Sequence, residues 1–270
     1  MKYQTPTISI VIVTYKRPGL AKSLAQSIRK IHKGIEIMII DNVPHGNISA
    51  ARNKGLMSAH TEIVLFLDDD VEITPSTIES HLSRYTDPKV MSVTGRVIND
   101  GEEVPRDTNV ATGQTDTLGT SFVQQFWSTK EQKIDFPYGC NMSFRRQNLI
   151  KVGGFDEHYL RIFDDIDIGY QIKRQGKILF EPSALVYHHK APSGGTRDTQ
   201  KNHQKMLYQY YGYYLGKNIT FPISILSLML RTKTILTEAP FAVFNLYNGY
   251  IKGLLKILSS HATTAGSNRK

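Results

Sequence analysis

Apolar and polar positions follow two rhythms along this chain. Up to about residue 98, short apolar runs take turns with stretches whose apolar positions recur every three or four residues. The segment Thr7-Ile8-Ser9-Ile10-Val11-Ile12-Val13-Thr14 alternates and then becomes solidly apolar, which predicts a first, central strand. Pro18 opens a helix with Leu20, Leu24, Ile28 and Ile31 as its apolar face, and Gly34 closes it. Glu36 to Ile40 predicts a second strand ending in Asp41-Asn42, and strand, helix, strand in that order predicts a right-handed parallel crossover. Asn47 to Leu56 reads as a short helix whose small residues let it lie close to a sheet or a ligand. Ile63-Val64-Leu65-Phe66-Leu67 is an unbroken apolar run suited to a strand buried on both faces. A helix from Pro75 to about Tyr85 and a strand from Val90 to Val97 follow. Repeated β-α units predict a doubly wound, mostly parallel, Rossmann-like α/β sheet flanked by helices.

From Asn99 to Phe136 the pattern dissolves into Gly, Thr, Asp and Gln with Phe122, Phe126 and Trp127 interspersed. Such a length predicts a functional loop or lid on the acceptor side, with one short helix around the aromatics. Tyr138 to Arg145 predicts a strand, Gln147 to Val152 a short helix stopped by Gly153-Gly154, and Phe163 to Gly176 a helix. Short strands at Lys177–Phe180 and Ala184–Tyr187 flank Pro182 and deliver His188-His189. After the glycine-bearing loop Pro192 to Arg197 come three helical stretches, Asp198–Leu215 (rich in tyrosine), Phe221–Leu236 and Phe241–Leu258. The expected organisation is a catalytic domain over 1–197, with a nucleotide-binding half (1–98) and an acceptor-binding half (99–197). A basic helical extension over 198–258 and a disordered tail over 259–270 complete it.

Charge sharpens this division. The 270 residues carry a net charge of +9, and residues 190–270 hold 11 Lys and Arg against only Asp198 and Glu238. The rest of the chain is neutral. That asymmetry argues against a nucleic-acid-coating protein and for a tail that meets an anionic surface or ligand. A basic, apolar helical tail suits peripheral contact with a membrane, and packing on the catalytic domain or a homo-oligomeric partner is the alternative. Cys140 is the sole cysteine, so no intrachain disulfide forms, and it reads as a packed small residue rather than a nucleophile. No signal-peptide pattern and no apolar run of membrane-spanning length is seen. The expected location is cytoplasmic, with peripheral attachment at the inner face of the cell membrane as the variant.

The chemistry concentrates where the central apolar run meets Asp68-Asp69-Asp70. Three adjacent acids at a strand's carboxyl end must be paired or hold a cation, and the carboxyl ends of strands are where open α/β sheets bind ligands. Hard oxygen ligands favour Mg²⁺ or Mn²⁺. The alternative is a solvated acidic turn opening the next helix. Further along, Asp164, Asp165 and Asp167 occupy a helix's first turn and cannot all face one way.

In family order, these segments resemble a family 2 inverting glycosyltransferase of the GT-A fold, of bacterial polysaccharide type. The match rests on Ser9–Pro18, Ala51-Arg52-Asn53-Lys54-Gly55, Asp68-Asp69-Asp70, Gly153-Gly154-Phe155-Asp156-Glu157, Asp164-Asp165-Ile166-Asp167-Ile168-Gly169 and downstream His188. The resemblance implies a nucleotide-diphosphosugar donor, a UDP- or dTDP-sugar, and a hydroxyl of a glycan or lipid-linked glycan as acceptor. It implies Mn²⁺ or Mg²⁺ on Asp70 with Asp68 assisting, and His188, ahead of His189, as a further ligand. Asp69 or Asp68 would face the ribose or sugar. Asp165 would be the general base, after Asp164 in place of the commoner Glu. Thr14, Tyr15, Arg17 and Asp41 would meet the nucleoside, Arg52 the base or phosphates, Asn141 (with Gly139) the sugar, and Arg197 would fold over the diphosphate. For Arg17 and Arg52, a surface salt bridge is the alternative. Two rival readings are a nucleotidyltransferase and a catalytically inactive GT-A-like protein that binds glycans or membranes.

Overall fold

The computed structural model describes residues 7–42, 46–191 and 203–267. Its elements in chain order are β1 (Ile8–Thr14), α1 (Pro18–Ile31), β2 (Glu36–Asp41), α2 (Ile48–Ser58), β3 (Ile63–Asp68), β4 (Val71–Ile73), α3 (Thr77–Arg84) and β5 (Val90–Asn99). Then come β6 (Gln114–Thr115), β7 (Phe122–Val123), β8 (Gln132–Ile134), β9 (Asn141–Arg145), α4 (Arg146–Lys151), α5 (Asp164–Ile172) and β10 (Lys177–His188). Helices α6 (His203–Asn218), α7 (Ile223–Glu238) and α8 (Val243–Ser267) close the chain, with a 3₁₀ turn at Pro240–Ala242 before α8. Residues 1–114 and 123–198 form one compact unit, and residues 115–122 and 199–270 a second.

In the first unit the sheet runs β2-β1-β3-β9-β5-β10-β4, with β8 paired to β10. Along that path five strands point one way, and β9 and β4 run against them. The α/β architecture and mostly parallel sheet are therefore as expected. Ile10 to Ile12 and Ile63 to Leu67 are almost wholly buried, as runs covered on both faces must be. Helix α2 lies close on β1: a Cβ on Gly55 would fall 2.3 Å from Val11 Cγ1, so this contact needs glycine.

Several expectations shift. The buried face of α1 is Ala21, Leu24, Ala25 and Ile28, and Leu20 and Ile31 are exposed. Two alanines let α1 approach the sheet more closely than a Leu20-centred face would. The acids at β3 lead into a short strand, β4, too brief to show a period. Residues 99–136 hold three short strands and no helix. The aromatic segment instead closes in turns fixed by side chains, such as Ser128 and Gln132, which donate to Val110 O. The two strands expected around Pro182 are one, β10, whose pairing with β5 is irregular between Glu181 and Val186. That irregularity accommodates the proline. Helix α8 is long, from Val243 to Ser267, and no proline interrupts it.

In the second unit, Tyr208, Tyr210, Tyr211, Tyr213 and Tyr214 of α6 are buried, and Phe122 packs edge-on against Tyr211 and Tyr214. Helices α6 and α8 meet through Gly212, Gly216, Gly249 and Gly253. A Cβ at any of these would lie within 2.4 Å of a carbonyl oxygen of the facing helix. The two backbones are therefore in direct contact.

Candidate active site

The carboxyl ends of β1, β2 and β3 bring Thr14, Asp41 and Asp68 level, since Thr14 is in register with Asp41 and Val13 with Asp68. Asp69 turns inward. Thr14 Oγ1 donates to its Oδ2 at 2.6 Å, and Arg17 Nη2 pairs with its Oδ1 at 2.6 Å. Burial pushes Asp69 up to about 6 against these two partners. Asp70 is buried as well, which works to raise it. The His188 imidazole, the Arg17 guanidinium and the Ala191 N–H outweigh this and hold it well below the usual carboxylate range. Arg17 Nη1 reaches Asp70 Oδ2 at 2.9 Å, and so does the Ala191 N–H.

The ligand atoms of Asp68, Asp70 and His188 all lie within 4.8 Å of one another. Strand pairing explains the convergence, since β10 sets His188 opposite Asn99 of β5 on one side and Val71 of β4 on the other. The donor set, two carboxylates and an imidazole, fits a divalent cation such as Mn²⁺ or Mg²⁺. The surrounding hydrogen bonds fit it too. Asn99 Nδ2 donates to Glu102 Oε2, which turns Asn99 Oδ1 toward His188 Nδ1 at 3.0 Å. His188 Nε2 lies 3.1 Å from Asp70 Oδ1. His189 points elsewhere, toward Glu72 and Asp100 at 3.2 Å each, and is half exposed.

Arg52 of α2 ties this cluster to the acids of α5. The guanidinium is buried, pairs with Asp164, donates to Gly139 O at 2.9 Å and lies 3.5 Å from Asp68 Oδ1. Arg52 thus has protein partners on both sides, the surface salt bridge of the alternative reading being here a buried one. Asp165 follows, its Oδ2 accepting from the Gly139 N–H at 3.2 Å. Burial and the neighbouring Asp164 push Asp165 up to about 7, although Arg52 and the N–H groups of Ile166 and Gly139 oppose this. Asp167 faces inward and accepts from the Tyr159 hydroxyl. The α5 N-terminus is set by Phe163, held in the left-handed region at φ 74°. That conformation is unfavourable for an aromatic residue and persists only where its surroundings enforce it.

Two segments matched as separate motifs are joined here. Asn53 clamps the Phe155 backbone, its Nδ2 donating to Phe155 O and its Oδ1 accepting from Phe155 N, and Phe155 lies under Arg52. Asn53 is a site-building residue that sequence reading missed, and Asn99 is another. Tyr138, stacked on Phe126 at 4.7 Å, is a third. Burial and the charges of Cys140, Asp165 and Asp68 raise its hydroxyl, and a hydrogen bond with Asn99 opposes them. Asn99 ends β5 and Tyr138 precedes β9, whereas Asn53 lies within α2, so no shared local signal marks the three.

Other expected residues fall differently. Asn141 is fully buried, with its Oδ1 on His81 Nε2 and its Nδ2 on Ala184 O. Tyr15 carries the Arg161 guanidinium over its ring at 5.3 Å. Asp41 is exposed at the end of β2. Arg197 lies outside the described residues. Cys140 is buried, and burial raises its thiol well above the ordinary range.

Residues 2–207 match the family described as glycosyltransferase like family 2. The hyaluronan synthase of Pasteurella multocida is 22% identical over 82% of this chain and 27% of its own length. The N-acetylglucosaminyl-diphospho-decaprenol L-rhamnosyltransferase of Mycobacterium tuberculosis is 28% identical over 49% of this chain and 48% of its own. The chain thus spans less than half the length of either relative. Among solved structures, the mannosyltransferase PcManGT from Pyrobaculum calidifontis, in complex with GDP-Man and Mn²⁺, superposes with a TM-score of 0.55 at 16% identity. That match covers 97% of this chain and 81% of the other, and it carries the GT-A fold. A family match over most of the chain, with the fold and the acids to go with it, places this protein in glycosyltransferase family 2.

Proposed function

We propose that this chain is an inverting, metal-dependent glycosyltransferase that moves a sugar from a UDP- or dTDP-sugar to a hydroxyl of a glycan or lipid-linked glycan. The observation that carries this reading is the Arg52 bridge. One buried guanidinium links Asp68 of the cation-ligand trio to Asp164, next to Asp165, so the leaving-group side and the base side of the reaction are held as one piece. A divalent cation on Asp68, Asp70 and His188 would supply a Lewis acid for the diphosphate leaving group. Asp165, raised toward neutrality, takes the proton of the acceptor hydroxyl as that oxygen attacks the anomeric carbon from the opposite face. Thr14 and Arg17 keep Asp69 and Asp70 oriented. Asp41, at the end of β2, would accept the imide N–H of uracil or thymine, which adenine lacks.

Thermal shift of purified protein with UDP-, dTDP- and GDP-sugars, with Mn²⁺ and with EDTA, tests the reading. The expected result is stabilisation by uracil or thymine donors that disappears with EDTA and in Asp70→Ala. Stabilisation by GDP-sugars alone would overturn the nucleotide assignment. Stabilisation unaffected by EDTA would overturn the role given to the metal.

A further inference from the structure

Helix α8 is apolar on two opposite faces. One carries Gly249 and Gly253 against α6. On the other, Phe244, Tyr247, Ile251, Leu254, Leu255 and Leu258 recur at helical spacing and are all exposed, Phe244 at 76% and Leu258 at 65%. At 100° per residue these six span a stripe about 100° wide, Lys252 falls about 60° beyond its edge, and Lys256 falls about 100° beyond it, toward the glycine face. Both lysines are exposed. Helix α7 bares further large side chains, among them Leu226 and Met229, with exposed Lys233 among them. A contiguous apolar face of this kind, rimmed by polar groups, marks an interaction surface.

Charge chooses the occupant. Residues 199–270 contain nine Lys and Arg and a single acid, Glu238. A second copy of this chain would bring the same lysines to the same interface with almost no carboxylate to meet them, and like charges there are repulsive. An anionic lipid surface accepts both features at once. The stripe enters the boundary of headgroups and acyl chains, the Lys252 stem lies beside it with its ammonium group at the phosphates, and Lys256, farther round the helix, adds longer-range attraction to the anionic surface. No helix among the described residues is long and apolar enough to cross a membrane. We propose that the Phe244–Leu258 stripe of α8, with Lys252 and Lys256, is a docking face for an anionic bilayer, on which the helix lies in the plane of the surface. This goes beyond the donor-site reading and stands or falls separately from it.

The 270-residue chain is sedimented with vesicles of phosphatidylcholine alone and of phosphatidylcholine mixed with phosphatidylglycerol. The expected result is binding to the anionic vesicles, weak binding to neutral ones, and release in about 1 M salt, where the Debye length falls to about 3 Å. The triple variant Phe244→Ser, Ile251→Ser, Leu255→Ser and the pair Lys252→Gln, Lys256→Gln should each lose about tenfold or more in partitioning. Both should keep the wild-type melting temperature and the donor-induced thermal shift, because all five side chains are exposed. Should the triple variant fail to fold, the lysine pair carries the test alone. Wild-type protein left in the supernatant with anionic vesicles would overturn the proposal, as would variants that sediment like wild type. A dimer in solution that the triple variant splits into monomers would also overturn it and assign the face to a second copy.

Discussion

At the scale of single residues, environments push neighbouring acids apart: Asp70 is held low, while Asp69 and Asp165 are raised. A base must be ionised to act, so transfer by Asp165 should climb as pH rises through about 7 and level off above. In pH profiles of kcat/KM, Asp165→Asn should lose about 10²–10⁴-fold in rate while keeping donor binding. The same raised value has a cost in stability. Between the unfolded carboxylate value of about 3.9 and the folded value, the native state binds a proton that the unfolded chain does not, so stability falls as pH rises across that window. Asp165→Asn should therefore melt higher than wild type at pH 8. A melting temperature equal to or below wild type would contradict the burial of an ionised Asp165.

His81 behaves oppositely. Burial lowers it to about 4, although Asn141 and Glu181 work against this. Between pH 6.5 and 4 the unfolded chain binds the proton that the folded one refuses, so stability is lost as pH falls through that window, by about 3 kcal/mol in total. Urea titrations at pH 7 and 4.5 check this, and His81→Asn should flatten the difference.

At the scale of elements, the tightest constraint is the glycine contact of α6 with α8. Gly249→Val would place side-chain atoms into Gln209 O, 1.9 Å from where a Cβ would sit. It should cost about 3 kcal/mol, seen as a lower urea midpoint. Gly19→Ala in α1, where a Cβ meets nothing within 4 Å, should cost nothing and serves as control. These contacts also mark what sequence can reveal. Strands β1 and β3 were readable because burial on both faces leaves an unbroken apolar run. Helix α5 was readable from its acid-rich first turn and the glycine that follows it. The segment 99–136 was not, because its shape comes from bonds such as Ser128 to Val110 O, which leave no period. The Arg52 bridge was not legible for a related reason. Its partner Asp164 is 112 positions away, and nothing local distinguishes a buried bridge from a ligand-facing guanidinium.

At the scale of the whole molecule, the first unit carries the family's acids, and the second carries the basic excess and the bare stripe of α8. The functional halves 1–98 and 99–197 remain a proposal about roles, and the sheet does not divide where they do. Strand β9, from the second half, sits antiparallel between β3 and β5 of the first.

That insertion bears on the protein's birth. A nascent chain that has emerged only as far as β5 holds two of its most apolar strands with unpaired edges, and nothing yet synthesised can cover them. The missing strand arrives some forty residues later, after the segment with no periodic structure. At about 5–20 residues per second the chain spends seconds with both edges bare. A fragment ending at residue 98 should therefore aggregate when expressed, whereas one ending at 191 should stay in solution. Holdase chaperones should crosslink to ribosome-bound chains stalled before residue 141 and fall away from those stalled after β9 has cleared the exit tunnel.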